Sequence, residues 1–190
     1  PLIADPGFGL SQAAVEAGAL VTSAPGPSAM IAALTLAGLP TDRFFFGGFL
    51  PNTQSQRRAA LQNYRDVPGT LVFYESPKRS RAMIVDAQAV LGEGRQAVIC
   101  RELTKKFEEC RRGTLSELVR DLATLTLKGE IVVLIDRAHL PVVKSEDIEQ
   151  SLRQALTEHS LRDASDLVAN ALGVPRRQVY QMALTIGRQE

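Results

Sequence analysis

The sequence predicts an α/β protein whose sheet-and-helix body is followed by a separate helical module. Two observations carry the body. Short β-rich apolar runs recur along the chain, and they alternate with helical patterns of about ten residues or more, as in a layered and at least partly parallel sheet. A third observation carries the module: after His139-Leu140-Pro141 no strand pattern occurs, and residues 145–190 read as three helices.

Taken in order, Leu10, Ala13, Ala14 and Ala17 recur at helical spacing and stop at Gly18, a suitable residue just past a helix end. Residues 19–22 form a strand candidate, ended by Pro25-Gly26-Pro27. Ser28 is placed to cap a helix running to about Ala37 and closing at Gly38. A strand begins at 44–46. Thr53 and Gln56 then have the spacing of a capping box for a helix through about Tyr64. Residues 70–74 are a β-rich run, and Ser76-Pro77 reads as an N-cap with proline at the first helical position, opening a helix to Leu91. Strands follow at 97–100 and, short and exposed, at 108–112. Thr114 and Glu117 form another capping box for a helix to about Leu125, and 130–135 is a strongly apolar strand. Around 141–144 a linker leads to the helical tail. There Ser145 and Ser160 are caps for the first two helices, and Pro175 sits at the first turn of the third.

The composition, 45% hydrophobic and 23% charged over 190 residues, is that of a globular protein with a real core. No apolar run is long enough to span a bilayer, and no basic segment precedes an apolar one at the start, so a cytoplasmic location is expected. Cys100 and Cys110 are too few and wrongly spaced for a metal knuckle or a disulfide framework. They read as two reduced thiols, and no metal is expected. The net charge of +1 decides nothing about nucleic acid, but its distribution is informative. No lysine or arginine precedes Arg43. Basic residues then arrive in clusters at Arg57-Arg58, Lys78-Arg79 with Arg81, Lys105-Lys106, Arg111-Arg112 and Arg176-Arg177. Such clusters can form a phosphate-tracking face or a solvated, charge-balanced surface.

In open α/β sheets, ligands bind beyond the carboxyl ends of the strands. The segments at those ends are Pro25-Gly26-Pro27-Ser28-Ala29, Tyr74-Glu75-Ser76-Pro77 and Arg101-Glu102-Leu103-Thr104-Lys105. In the first, Gly26 lets backbone approach a ligand, and the N–H groups after Ser28 can meet an anionic group or simply start a capped helix. Gly7 and Gly9 do not make a dinucleotide fingerprint, because the third glycine and the downstream acid are absent.

These segments occur in a series: Pro1-Leu2-Ile3-Ala4-Asp5-Pro6-Gly7, PGPSA at 25–29, Gly38-Leu39-Pro40-Thr41-Asp42-Arg43-Phe44, Gly48-Phe49-Leu50-Pro51, Phe73-Tyr74-Glu75-Ser76-Pro77, Arg101-Glu102-Leu103-Thr104-Lys105, Arg112-Gly113-Thr114-Leu115 and Gly129-Glu130-Ile131. The series resembles the tetrapyrrole methylase superfamily, and within it the enzymes that methylate a ribose of small-subunit ribosomal RNA. The resemblance covers residues 1–137, and the tail is similar to that group's C-terminal extension. It implies a two-domain methylase, usually dimeric, that takes S-adenosylmethionine in the cleft between domains. The expected product is a 2′-O-methylated cytidine in the decoding region of 16S rRNA.

On this resemblance, residues 1–40 are the end of a first α/β domain, 41–140 a second α/β domain, and 145–190 an RNA-binding helical module. Pro27, Ser28, Ala29, Tyr74, Arg101, Glu102, Gly129, Glu130 and Ile131 are expected to contact the cofactor. The family's first cofactor loop has no counterpart here, save Pro1 as the last residue of its Asp-Ala-Gly-Thr-Pro segment. The chain therefore reads as a piece lacking its first part, and little methylation is expected from it alone.

A ribose hydroxyl is a weak acid, so a base or a cation that stabilises the alkoxide assists transfer. Glu75, Glu102 and Lys105 are the catalytic candidates, with Arg101 as a possible clamp for the adjacent phosphate. The competing reading pairs Glu75 with Arg79 and Glu102 with Lys105 as ordinary ion pairs. In the tail, Ala169, Gly173 and Val179 have the relative spacing of a helix-turn-helix, with Leu167, Val168, Leu172 and Val174 as its core. Lys78, Arg79, Arg176 and Arg177 are the RNA-binding candidates, and Tyr180 suits either stacking or core. A corrin-ring methylase and a nonenzymatic nucleic-acid-binding protein are the competing functions.

Overall fold

The apolar runs form a single sheet because each has a partner on at least one side. In the computed structural model, which describes residues 2–138 and 145–186, two compact units divide near residue 138. The first contains α1 (Phe8–Glu16), α2 (Ala29–Ala37), β1 (Phe44–Phe49), α3 (Gln54–Asn63), β2 (Thr70–Glu75), α4 (Pro77–Leu91), β3 (Gln96–Arg101), β4 (Glu109–Thr114), α5 (Leu115–Thr124) and β5 (Ile131–Ile135). The second contains α6 (Ser145–Leu156), α7 (Leu161–Leu172) and α8 (Arg176–Ile186). The linker expected at 141–144, and Pro1, lie outside the described residues.

The five strands are ordered β1-β2-β5-β3-β4, with β1 and β2 parallel and every other neighbouring pair antiparallel. β5 therefore enters between β2 and β3 against their direction. Both of its faces are covered, so its five residues are all buried and read as a continuous apolar run. Leu71, Phe73, Ile99, Val133 and Ile135 point to one core with residues of α3, α4 and α5. Val72, Val98, Cys100, Val132 and Leu134 point to the other, where Ala33, Leu34 and Ala37 of α2 lie on them.

β1 extends further than its phenylalanines suggested because Gly47-Gly48 forms a bulge between Phe46 and Gly48. A Cβ on Gly47 would fall 2.4 Å from the Phe73 ring, so only glycine fits there. The 108–112 segment is β4, an edge strand half-buried against β3 rather than an exposed one. Cys100 and Cys110 face each other across β3 and β4 as free thiols with their sulfurs 3.3 Å apart, and burial pushes the Cys100 thiol up.

Residues 19–22 are not a strand. No described strand lies beside them to accept their hydrogen bonds, and Leu20 is 92% exposed. The helix before them forms from Phe8 to Glu16 but buries none of its residues.

Capping also departs from expectation. Thr114 and Glu117 do form the reciprocal box, a motif worth about 1 kcal/mol. Thr53 instead donates its hydroxyl to the Gln56 side chain (2.8 Å), and neither Ser28 nor Ser76 caps its helix through its side chain. Ser76 gives its N–H to Glu75 Oε1 (2.7 Å). α2 is held at its first residues by the Tyr74 hydroxyl, which accepts the Met30 N–H (3.2 Å). At its other end the Arg112 guanidinium donates to the Ala37 and Leu36 carbonyls (3.2 and 2.5 Å).

In the second unit, Ser160 caps α7 by accepting the Asp163 N–H (3.2 Å), whereas Ser145 is the first residue of α6. Ile148, Leu152, Ala164, Val168, Val179 and Ala183 form its core. Ala169 and Val179 are buried and Gly173 turns in the left-handed region (φ 63°), the local geometry of a helix-turn-helix. Leu167 departs from expectation: it lies off the inward stripe and is 51% exposed.

Helices α3 and α4 are fastened by one carboxylate. Asp86, 1% exposed, accepts from Arg57 Nε (2.7 Å), Arg58 Nε (2.7 Å) and Gln54 Nε2 (3.3 Å). Burial alone would raise its pKa, but the two arginines outweigh burial and hold it below the ordinary 3.8. Its contribution to stability is thus complete above the unfolded carboxylate range and is lost as pH falls through its own lowered value. Asp86→Asn is expected to cost about 3–5 kcal/mol at pH 7, because buried Arg57 loses its counter-charge. Urea unfolding of both proteins at pH 7 and pH 3 checks this: the difference should shrink at the lower pH, and equal midpoints at pH 7 would refute it.

Candidate active site at the sheet rim

Because β5 runs against β2 and β3, its first residue lies beside their last ones. Ile131 pairs with Glu75 on one side and Arg101 on the other. Glu102 N–H then donates to the Glu130 carbonyl (3.0 Å), extending the ladder past the strand ends. The α2 N-terminus arrives on the same rim through the Tyr74 hydroxyl. The result is a cavity of about 280 Å³ lined by Ala29, Phe49, Tyr74, Glu75, Glu130, Ile131 and Val132. Tyr74 is set edge-on against Phe46 and Phe49, with centroids 4.8 and 5.9 Å away. At the α2 entrance the Ser28 hydroxyl oxygen is buried without a hydrogen-bond partner.

The polar side of the rim is a network. Lys105 Nζ donates to Glu102 Oε1 (3.0 Å) and Glu130 Oε2 (3.1 Å), and the Glu130 N–H donates to Glu102 Oε1 (2.9 Å). That N–H first, then the Lys105 ammonium, holds Glu102 below its ordinary 4.5, and the two carboxylates hold Lys105 above its ordinary 10.5. Glu102 is therefore a weak base, and Lys105 is a persistent cation at neutral pH. Arg101 donates to Glu109 (3.2 Å) and to the Lys128 carbonyl (3.4 Å). Glu75 is buried and pairs with Arg79 (3.1 Å), so it fastens the start of α4. Both ion pairs of the competing reading thus exist.

The basic candidates divide. Arg79 is engaged by Glu75, by the Asn52 side chain and by the Leu50 carbonyl (2.5 Å), which makes it a brace for the β1–α3 connection rather than a solvent-facing cation. Arg57 and Arg58 are likewise spent on Asp86. Arg176 pairs with Asp166, an exposed contact of small net worth. Lys78 and Arg177 are exposed. Tyr180 is partly exposed in α8. Of the expected cofactor residues, Ala29, Tyr74, Glu130 and Ile131 line the cavity; Pro27 and Ser28 do not, and Arg101, Glu102 and Gly129 line a separate cavity. Phe49 and Val132 were missed by sequence reasoning. The signal for Phe49 was available: an aromatic residue directly after a Gly-Gly bulge at a strand's carboxyl end.

Among the described residues there is no helix long and apolar enough to cross a membrane and no cluster of metal-ligating side chains. The signature of the Tetrapyrrole (Corrin/Porphyrin) Methylases matches residues 1–119, and that of the RsmI C-terminal HTH domain matches residues 142–187. The chain is 41% identical over 187 residues to Ribosomal RNA small subunit methyltransferase I of Mesorhizobium japonicum, covering 98% of this chain and 64% of that protein. It is 42% identical over 189 residues to the protein of the same name from Pseudomonas aeruginosa, covering 97% of this chain and 67% of the relative. The chain thus spans about two thirds of these relatives' length. Two solved structures share the fold. One is the methyltransferase CobJ, with TM-score 0.51 and 22% identity over 72% of this chain and 59% of that one. The other is the cobalt precorrin-4 methyltransferase CbiF, with TM-score 0.50 and 15% identity over 67% and 57%.

Gly129 has φ +86°, and a Cβ there would fall 2.2 Å from Glu102 Oε1. Gly129→Ala should therefore cost more than about 1 kcal/mol and displace the Glu102 carboxylate. In a Glu102→Ala background the steric part of that cost should vanish, which a thermal-denaturation double-mutant cycle measures. Additive effects would rule out the clash.

Proposed function

The chain belongs to the tetrapyrrole methylase family, and from that premise we propose that it takes part in S-adenosylmethionine-dependent methylation of small-subunit ribosomal RNA, at the ribose 2′-hydroxyl of a cytidine in the decoding region. The observation that carries the reading is the meeting of four distant segments at one rim, around Ala29, Tyr74-Glu75, Arg101-Glu102 and Glu130-Ile131. In this reading residues 1–40 end a first α/β domain, 41–140 are a second, and the protein works in the cytoplasm as a homodimer. Its partner is 16S rRNA in the small subunit.

The residues present fit the cofactor. A buried hydroxyl without a partner at Ser28, backbone around Ala29, and an aromatic and aliphatic wall from Phe49, Tyr74 and Ile131 suit an amphipathic nucleoside. The cofactor supplies an electrophilic methyl group on a sulfonium. Positioning is then the protein's main contribution. Tyr74 fixes the entrance of α2, while Glu75 and Arg79 fix the turn after β2. Lys105, kept protonated by Glu102 and Glu130, is the cation that stabilises negative charge developing on the ribose oxygen. Glu102 orients that lysine. Lys78, exposed in the first turn of α4, contacts phosphate from the first unit; in the second, Arg177, joined by Arg176 once it leaves Asp166, does so from the first turn of α8.

The competing reading, methylation of a corrin ring, draws on the family signature over residues 1–119 and on a shared fold at 15–22% identity, whereas the relatives at 41–42% identity are named for ribosomal RNA. In the full-length protein, on which the following measurements are made, methyl transfer to isolated small subunits, set against uroporphyrinogen or precorrin, separates the two. Ser28→Trp should abolish binding of tritiated S-adenosylmethionine in equilibrium dialysis, and unchanged affinity would remove Ser28 from the site. Lys105→Ala should lower kcat on the order of 10²-fold. Cofactor affinity should hold within about threefold, and Lys105→Arg should recover part of the rate. A loss confined to KM would instead make Lys105 a binding residue.

A further inference from the structure

Between β3 and β4 the chain makes a short loop whose most prominent side chain is apolar. Phe107 is 62% exposed. A single exposed phenylalanine means little by itself, but this one has a setting. It lines a cavity of about 290 Å³ with Arg101, Glu102, Lys128 and Gly129, directly beside the rim that holds Glu130. Lys106 Nζ stands 5.6 Å from the ring centroid.

The loop carrying the ring is held in place. Thr104 N–H donates to Glu108 Oε2 (2.6 Å), Lys105 N–H to the Glu102 carbonyl (3.0 Å) and Glu108 N–H to the Lys105 carbonyl (3.1 Å). Glu102 and Thr104 adopt left-handed backbone (φ 52° and 65°), unfavourable conformations that these bonds maintain. An aromatic ring on so fixed a loop loses little conformational freedom when a ligand stacks on it.

Charge selects the ligand. The carboxylates here are occupied: Glu102 by Lys105, Glu108 by the Thr104 N–H, and Glu109 by Arg101 and Arg111. Lys106 and Lys128 have no ion-pair partner among the described residues. Lys106 lies over one face of the ring, and Lys128 lines the same cavity as the ring, so the exposed side of Phe107 with these two uncompensated cations suits a planar base with a phosphate on either side, as in single-stranded nucleic-acid recognition.

We infer that Phe107 is a stacking platform for a nucleobase of single-stranded RNA, with Lys106 and Lys128 meeting the flanking phosphates next to the methyl-transfer rim. The inference rests on the RNA reading above and adds a contact that positions the substrate strand. An anionic membrane would share the charge and the apolar tip, but a ring set in a cavity wall beside Gly129 suits a flat base better than a bilayer surface.

The chain has no tryptophan, so Phe107→Trp introduces a single tryptophan at the point in question, excited apart from the three tyrosines at the red edge of absorption. Titration of this variant with a single-stranded RNA oligonucleotide should quench its emission. Inorganic polyphosphate should leave emission unchanged, as should vesicles of phosphatidylglycerol. Phe107→Ala should weaken RNA binding about tenfold by fluorescence anisotropy, the scale of one lost base stack, with its melting temperature unchanged. If wild-type chain binds RNA while the tryptophan is not quenched and the alanine variant binds equally well, the platform is refuted and the RNA reading survives. If the wild-type chain binds no RNA, both fall. A blue-shifted rise with vesicles, without RNA quenching, makes the loop a membrane contact and overturns the inference.

Discussion

The rim depends on the antiparallel insertion of β5. A strand running with β2 and β3 would have delivered its last residues there, and Glu130-Ile131 would lie at the opposite edge. By entering in reverse, β5 offers the loop that precedes it, and the sheet's own ladder continues into that loop through the Glu102 N–H and Glu130 carbonyl. The geometry of the polar network is thus fixed by backbone hydrogen bonding before any side chain contributes. Gly129 is the point at which this arrangement tolerates no side chain, since the loop must pass against the Glu102 carboxylate.

Much of this was legible in the sequence, for identifiable reasons. Runs such as 71–73 and 131–135 are apolar at every position, as strands buried on both faces must be, and Thr114 with Glu117 signals its helix start through a local motif that needs nothing from elsewhere. Tyr74-Glu75 and Arg101-Glu102 could be named because they end strands, whereas Glu130-Ile131 opens one and was named on the family resemblance. What could not be read was pairing. Residues 19–22 have the composition of a strand but no neighbour, and the direction of β5 leaves no trace in its own residues. Side-chain allegiance was equally hidden. Arg57, Arg58 and Arg79 look like a basic surface on paper, yet each is tied to a carboxylate or carbonyl distant in sequence.

That redistribution alters the electrostatic picture. The arginines of the first unit act mainly as internal fasteners, with Asp86, Glu75 and Glu109 as their anchors. Among the rim lysines, Lys105 pairs with Glu102 and Glu130, and in the proposed reading these lysines meet anions from outside. Arginine's planar fork suits it to multidentate ties such as the one between α3 and α4, whereas a lysine on a flexible stem can exchange partners. The division matches a site whose frame is rigid and whose charged lining must yield to a ligand.

Helix α2 owes both of its ends to other parts of the chain. Its sequence is apolar except for Thr35, whose hydroxyl donates to the Ala32 carbonyl, and no side chain of its own serves either terminus. The hydroxyl that receives the Met30 amide in its first turn comes from residue 74, and the guanidinium that covers its last carbonyls comes from residue 112. Such a segment gains little by coiling alone, and nine residues are too few for a helix to persist in water unaided. Its appearance must wait until strands far along the polypeptide have assembled, so the entrance to the rim is among the last parts of the molecule to take shape. Loop closure over those long separations sets the tempo of that step.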